Sequence, residues 1–424
     1  MIEDEWRFWV MGGMLEPNGL EPGCWQVVDW DQRRTISVTF ECDVEDEDLA
    51  IEYLKRHIDD LGTDVCSIEV SKGSGELVSV SSDPNDDQTL FPYYPPLQDS
   101  QLIDSVETIM RSELRELDRL GPNVDLVSYQ NRKVVFKYYI ILQHLHQRWN
   151  ELNIFMRLSG HPNIVPFDKV VIEKLEGSQA RIVGFTSLYI AGGTLDAIYE
   201  NPQDSRIFKL KWLLQLMSFV DDLNYKYGIQ HQDIAPRNLL VDEATDNIML
   251  FDFNFSARIG DTEFGKGASF YEERDDVKGV IFTLYEIITR DESFRIVPHR
   301  DQHPSSVLDM TDWMKHPDVR LDEPVANYRA ELDTWISRRK ERGSLKSYTN
   351  APAYIDWRDV PEPTRRLPYS CNTAETYPCW QITRPSAHLE NFEVIEWQRP
   401  AQKLIKEGMW VFADGRVVDM SNQA

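Results

Sequence analysis

The chain has 424 residues, 42% of them hydrophobic and 27% charged, with a formal net charge of -26. That composition fits a folded chain with room for two or three domains and excludes a disordered one. The acidic balance opposes binding to a phosphate backbone, and no apolar run approaches the ~18 residues that would cross a bilayer.

The opening Met1-Ile2-Glu3-Asp4-Glu5 lacks the basic and apolar regions of a secretory signal. An intracellular protein, cytoplasmic or nuclear, is therefore expected, with neither nucleic acid nor membrane as a partner. Cys24, Cys42, Cys66, Cys371 and Cys379 are odd in number and not spaced as a metal site, so free thiols are expected. Residues 1–104 hold 24 acidic and 6 basic side chains, about two-thirds of the net charge. A basic partner surface suits such a segment, and so does a plain solvated flank.

Trp6, Trp9, Trp25 and Trp30 crowd the first thirty residues, more large rings than a disordered tail carries. Thr35 to Phe40 alternates as a half-buried strand. Ile51, Leu54, Ile58 and Leu61 form a helical stripe, and Val65 to Val70 and Leu77 to Val80 read as further strands. Residues 1–82 thus form an acidic α/β accessory module. Asp83 to Ser100, with Pro84, Pro92, Pro95 and Pro96, reads as a linker that we extend to residue 104. A helix is expected around Leu102 to Leu120, before Gly121-Pro122-Asn123.

Val134-Val135-Phe136-Lys137 reads as a strand and Gln143 to Leu158 as a helix whose one carboxylate is Glu151. His161-Pro162-Asn163-Ile164-Val165 follows, then an apolar strand, Ile182 to Ile190. Lys209 to Tyr227 has a strong helical stripe that stops at Gly228. Next come His231-Gln232-Asp233-Ile234-Ala235-Pro236-Arg237-Asn238-Leu239-Leu240 and, after a hairpin-like Val241 to Leu250, Phe251-Asp252-Phe253-Asn254. Asp276 to Glu286 reads as a buried helix. Trp313, Val325, Leu332 and Trp335 suit closing helices up to Gly343. The extension 344–424 carries Trp357, Trp380, Trp397 and Trp410, with strand-like stretches at Phe392 to Trp397 and Met409 to Phe412.

The His231 loop matches H-R-D-L-x-x-x-N at its His, Asp and Asn, and Asp252-Phe253-Asn254 matches D-F-G except in its last residue. In that order and spacing, residues 105–343 resemble the eukaryotic protein kinase superfamily, as a divergent member of fungal type. The resemblance implies an α+β, bilobal fold: a small β-rich lobe with one helix and a mainly helical lobe, flanked here by the N-terminal module and a folded C-terminal extension.

It also implies ATP and Mg2+ as cofactors and a protein as substrate or binding partner. Asp233 would take the acceptor's proton, Asn238 and Asp252 would ligate metal, and Lys137, paired with Glu151, would reach the α- and β-phosphates. Leu188, Ile190 and Leu240 would line the adenine site, with Ser187 as a small gatekeeper, and Asp276 would hold the catalytic loop's backbone. Ala235 and Arg237 resemble the tyrosine-kinase loop, which places Arg237 among the catalytic candidates; the acceptor is a serine, threonine or tyrosine hydroxyl.

Three departures matter. Gly121 alone stands where a glycine-rich phosphate cover would lie, only 24 residues separate Asp252 from Asp276, and Gln232 replaces the arginine that would pair with an activation-loop phosphate. Activity independent of phosphorylation there is the expectation. A pseudokinase-like ATP-binding scaffold without turnover and a small-molecule phosphotransferase stay open as alternatives.

Overall fold

The computed structural model describes residues 2–14, 23–40, 46–100, 102, 106–175, 177, 179–201, 203–262, 269–368 and 375–420. They form two compact units: Met1–Leu145 with Asp168–Tyr189 and Val360–Ala424, and His146–Phe167 with Ile190–Asp359.

The first unit holds two large sheets and, among the described residues, three two-stranded ones. Strands β1 (Phe8–Met14), β2 (Cys24–Asp29), β3 (Arg34–Phe40), β4 (Ser67–Val70) and β5 (Leu77–Ser81) lie side by side in that order. Every pairing is antiparallel except β3 with β4, which the crossover helix α1 (Glu47–His57) connects. The Asp46 carboxylate caps α1 by accepting from the Asp48 amide at 3.0 Å. Beneath the helix, Ala50, Tyr53, Leu54 and Ile58 close over Val27, Ile36, Val38, Phe40, Ile68 and Val70.

The second sheet runs β7-β11-β12-β10-β9-β8, and its strands are β7 (Thr108–Met110), β8 (Arg115–Gly121), β9 (Val124–Tyr129), β10 (Arg132–Tyr138), β11 (Phe167–Glu173) and β12 (Arg181–Leu188). Residues 108–110 and 115–121 are therefore strands, joined through a short 3-10 turn at Arg111–Glu113, and not the expected helix, because Ile109, Leu114 and Arg119 are buried by packing that no single helical face would reproduce. The proline-rich stretch read as a linker carries a strand, β6 (Leu90–Pro92), paired with Gln381–Thr383. Phe392 to Trp397 has no regular pairing. Trp397 is instead held as an anchor, stacked 4.7 Å from Tyr138 and donating its indole N–H to the Tyr94 hydroxyl at 2.7 Å.

A closed group of charges joins these pieces. Arg33 pairs with Glu116, and Arg119 donates to Asp125 at 2.5 Å. Arg399 reaches Glu116 at 2.8 Å and Asp31 at 3.5 Å. Three guanidinium groups thus meet three carboxylates, five of the six residues buried and Glu116 half-buried, so the charges within this group balance. Cys24, Cys66 and Cys379 are free thiols; Cys42 and Cys371 lie outside the described residues.

The second unit is mainly helical, with α2 (Leu145–Leu158, belonging to this unit from His146), α3 (Leu210–Asp221), α4 (Asp276–Thr289) and α5 (Val325–Arg342). After α3 a wider turn, Asp222–Tyr227, ends at Gly228 with φ 70°. A β-carbon there would lie 2.8 Å from Tyr348 Cα, so glycine is required twice over. The chain then forms Ile229–Gln230, paired with Ala257–Arg258, and the hairpin Leu239–Asp242 with Asn247–Leu250. Residues of the extension close this unit too: the Trp149 indole donates to Arg358 O at 2.7 Å and the Trp357 indole to Asn150 Oδ1 at 3.0 Å.

Candidate active site

The loop His231–Asn238 is fixed from beneath by one carboxylate. Asp276 opens α4, which is buried along most of its length, and is itself 1% exposed. Its Oδ1 accepts from the Gln232 amide at 2.8 Å; its Oδ2 accepts from the His231 amide and from Asn224 Nδ2, each at 2.9 Å. Burial pushes this carboxyl above its ordinary range, against the pull of His231 and these hydrogen bonds. Gly279 lets the helix come close, since a β-carbon there would lie 2.7 Å from Ile234 Cβ.

The loop's backbone is unusual at its two ends. Gln232 (φ 65°) and Asp252 (φ 63°) are left-handed without being glycine. His231 donates from Nε2 to Phe251 O at 3.1 Å and accepts at Nδ1 from the Asp233 amide at 3.3 Å, which assigns its ring proton to Nε2. Phe253 packs edge-on against His231 and, on its other side, against Phe155 of α2. Gln232 ties down the shortened segment that follows Asp252: its amide nitrogen donates to Phe255 O at 2.6 Å and Ser269 O at 3.0 Å, and its oxygen accepts from the Tyr271 amide at 2.6 Å.

Asp233 is buried but for a few per cent, with Oδ1 accepting from Arg237 at 2.6 Å and Oδ2 from Asn238 Nδ2 at 2.8 Å. The same Asn238 nitrogen also donates to Asp233 O at 2.8 Å. Both bonds use the amide nitrogen, so the hard carbonyl oxygen of Asn238 is the atom suited to a metal. Pairing of Leu239 with Leu250, and of the Phe251 amide with Asn238 O at 3.2 Å, brings Asn238 and Asp252 to the same end of the hairpin. A carboxylate and a carboxamide oxygen fit a hard divalent cation whose remaining ligands are phosphate and water. Among the described residues, no group of three His, Cys, Asp or Glu is placed to hold a metal ion. Asn254 Oδ1, two residues on, is buried with no hydrogen-bond partner, a further oxygen donor beside this pair.

The other candidates divide between the units. In the first, Lys137 is buried on β10 between Phe185 of β12 and Val124 of β9, and Leu188 ends β12 opposite Val134. Gly184 allows that close pairing, because a β-carbon would meet Lys137 O at 2.2 Å. Ser187 is buried opposite Val135. The β8–β9 connection is a two-residue turn, Pro122-Asn123, with Asn123 at φ 60° and Gly121 paired to Val124. This is the Pro-then-Asn order of a type II turn. The extended glycine cover is replaced by a tight hairpin.

In the second unit, Glu151 is buried on α2, where its Oε2 accepts from Arg148 at 2.6 Å. Ile190 and Leu240 are half-buried, and Leu240 bridges to Thr194.

Several supporting residues carried no motif signal. Asn224 completes the Asp276 group. Arg295 donates to Ile234 O at 3.0 Å while pairing with Glu286, and Thr283 donates to the same carbonyl at 3.2 Å. Arg295 and Thr283 lie far along the chain from the loop, and only the helical stripe of α4 could have pointed to Thr283.

Residues 128–314 match the family model of the protein kinase domain, so this stretch of the chain is similar to that family. Among curated relatives, it is 34% identical over 102 residues to CBL-interacting protein kinase 5 of Oryza sativa subsp. japonica, covering 24% of this chain and 20% of that protein. It is 35% identical over 102 residues to CBL-interacting serine/threonine-protein kinase 2 of Arabidopsis thaliana, covering 24% and 21%. To CBL-interacting serine/threonine-protein kinase 21 of the same plant it is 28% identical over 139 residues, covering 33% and 32%. The chain thus spans about a fifth to a third of the length of these relatives. Among the described residues, no helix is long and apolar enough to cross a membrane.

Proposed function

We propose that the chain is a magnesium-dependent protein kinase that transfers the γ-phosphoryl group of ATP to a protein hydroxyl. The reading rests above all on Asp233, a carboxylate aimed by Arg237 and Asn238 on a loop whose backbone is pinned by Asp276. Asp233 takes the acceptor's proton as the hydroxyl oxygen bonds to the γ-phosphorus, and the bond to the β–γ bridging oxygen breaks to release ADP. Asn238 and Asp252 hold the metal, whose charge offsets that of the phosphates. Lys137 holds the α- and β-phosphates with Glu151 as its partner, and Leu188, Ile190 and Leu240 contact the adenine. The names of the relatives favour serine or threonine as acceptor.

A second reading, nucleotide binding without turnover, is favoured by the tight Pro122-Asn123 turn, which offers fewer backbone amides to the phosphates than a glycine-rich cover. One experiment separates the two. ATP binding is measured by calorimetry with and without Mg2+ on the wild type, Asp252→Ala and Asp233→Asn, followed by γ-phosphoryl transfer to generic protein acceptors. A kinase binds ATP in a magnesium-dependent way that Asp252→Ala removes, and Asp233→Asn retains binding while losing transfer. Binding without transfer in the wild type would favour the second reading, and no binding would remove both.

A further inference from the structure

The accessory sheet ends in a strand whose outer edge is uncovered among the described residues. β5 pairs with β4 on one side and is terminal in the sheet order. Three of its five residues are large and apolar, yet Leu77, Val78 and Val80 are 40%, 52% and 50% exposed. Strands that end a soluble sheet ordinarily carry charge or proline, or lie under a loop, because their outward amides and carbonyls recruit another strand. Here the residues Leu77-Val78-Ser79-Val80-Ser81 include neither charge nor proline.

What surrounds the edge selects its occupant. From Gly73 to Ser100 there is no lysine or arginine, while Glu76, Asp83 and Asp86 are exposed around β5 and Glu69 lies across from Ser79. The nearest cation in the chain direction is Lys72. A second copy of this edge would meet the same carboxylates and be repelled. The bulge that leaves Val78 unpaired between Val70 and Glu69 adds twist, which a short flexible peptide follows more easily than a second sheet. Nucleic acid is repelled for the same electrostatic reason.

We infer that β5 is a docking edge for an extended, lysine- or arginine-flanked peptide segment of a partner protein, added to the sheet as a sixth strand beside Leu77–Ser81. Main-chain hydrogen bonds supply the pairing, Val78 and Val80 the apolar contacts, and the surrounding carboxylates the preference for basic flanks. This inference is independent of the catalytic reading.

The test uses the full chain and a synthetic peptide, acetyl-Lys-Val-Lys-Val-Lys-Val-Lys amide. Its glutamate counterpart and a version with a central proline serve as controls. Binding is followed by fluorescence anisotropy, and backbone amide exchange locates the contact. The lysine peptide should protect amides within 77–81, while the glutamate and proline peptides and the exposed-site variant Val80→Lys should each weaken binding about tenfold or more. Circular dichroism of Val80→Lys checks that the variant folds; should it not, Ser79→Lys on the same strand replaces it. Protection elsewhere, equal binding of the glutamate peptide, or unchanged binding by a folded variant would overturn the inference. So would a dimer in sedimentation that the lysine substitution dissolves, which would assign the edge to a second copy.

Discussion

Replacing Asp276 by alanine tests the link between burial and catalysis most directly. The wild-type carboxylate receives two backbone amides of the catalytic loop and one side-chain amide of Asn224. Asn224 keeps its second bond, to Ile229 O at 2.9 Å. The His231 and Gln232 amides lose the acceptor that this carboxylate provides, and each stranded donor costs about 1–3 kcal/mol. Against this stands relief from burying a charge, visible in the upward push on the carboxyl. The two stranded donors together cost about 2–6 kcal/mol, lessened by that relief, against the roughly 5–15 kcal/mol that holds a domain folded.

Urea unfolding of the wild type and Asp276→Ala measures the loss, and phosphoryl transfer assayed under folding conditions measures the consequence for the loop. Transfer should fall about 100-fold or more, because an ångström of misplacement removes in-line geometry. Asp276→Asn retains one acceptor oxygen but presents an N–H to a backbone N–H, and should lie between the two proteins. If Asp276→Ala unfolds within about 1 kcal/mol of the wild type and transfers normally, the loop is positioned by other contacts and the reasoning fails.

Three further outcomes are expected. Because Gln232 is neutral and its amide is engaged by Phe255, Ser269 and Tyr271, phosphatase treatment should leave transfer unchanged, whereas Gln232→Ala should lower it; a phosphatase-sensitive activity would contradict this. His161 has its ring held below the usual imidazole range by burial, which outweighs the raising effect of Asp222, and burial likewise lowers His146 and His299. The unfolded imidazoles bind protons more tightly, so stability is full above about pH 6.5 and declines as pH falls through the lower folded values. Urea midpoints at pH 7.5 and 5.5 should show the decline, and His161→Gln should reduce it. Trp397→Ala should cost about 3–5 kcal/mol, as for a large ring lost from a packed core, and a change near zero would remove the C-terminal extension from the first unit's core.

Local pattern and chemistry were sufficient for much of the second unit. The 3.6-residue stripe of Leu210, Leu213, Leu214 and Met217 marked α3. The spacing of Asp233, Asn238 and Asp252 carried the kinase resemblance, and that resemblance put Asp276 beneath the loop, where its carboxylate accepts from the His231 and Gln232 amides. The lysine strand and the Glu151 helix were legible for the same reason: each repeats a short-range period. The helix expected around Leu102 to Leu120 was a misreading, because its apolar positions fit a helical stripe as well as a strand; the pairing of β7 with distant β11, and of β8 with β9 across a tight turn, decides between them.

The sequence by itself determined the strand of Lys137, the helix of Glu151 and the helix that ends at Gly228, since their patterns depend on neighbours a few positions apart. Only the tertiary structure decided that side chains from the two ends of the chain pack against the sheet that carries Lys137. Arg33 reaches Ala413 O at 2.5 Å, Arg399 meets Asp31 and Glu116, and Trp397 stacks on Tyr138. Those partners are hundreds of residues apart in the chain, and a buried charge gives no local sign of which opposite charge will balance it.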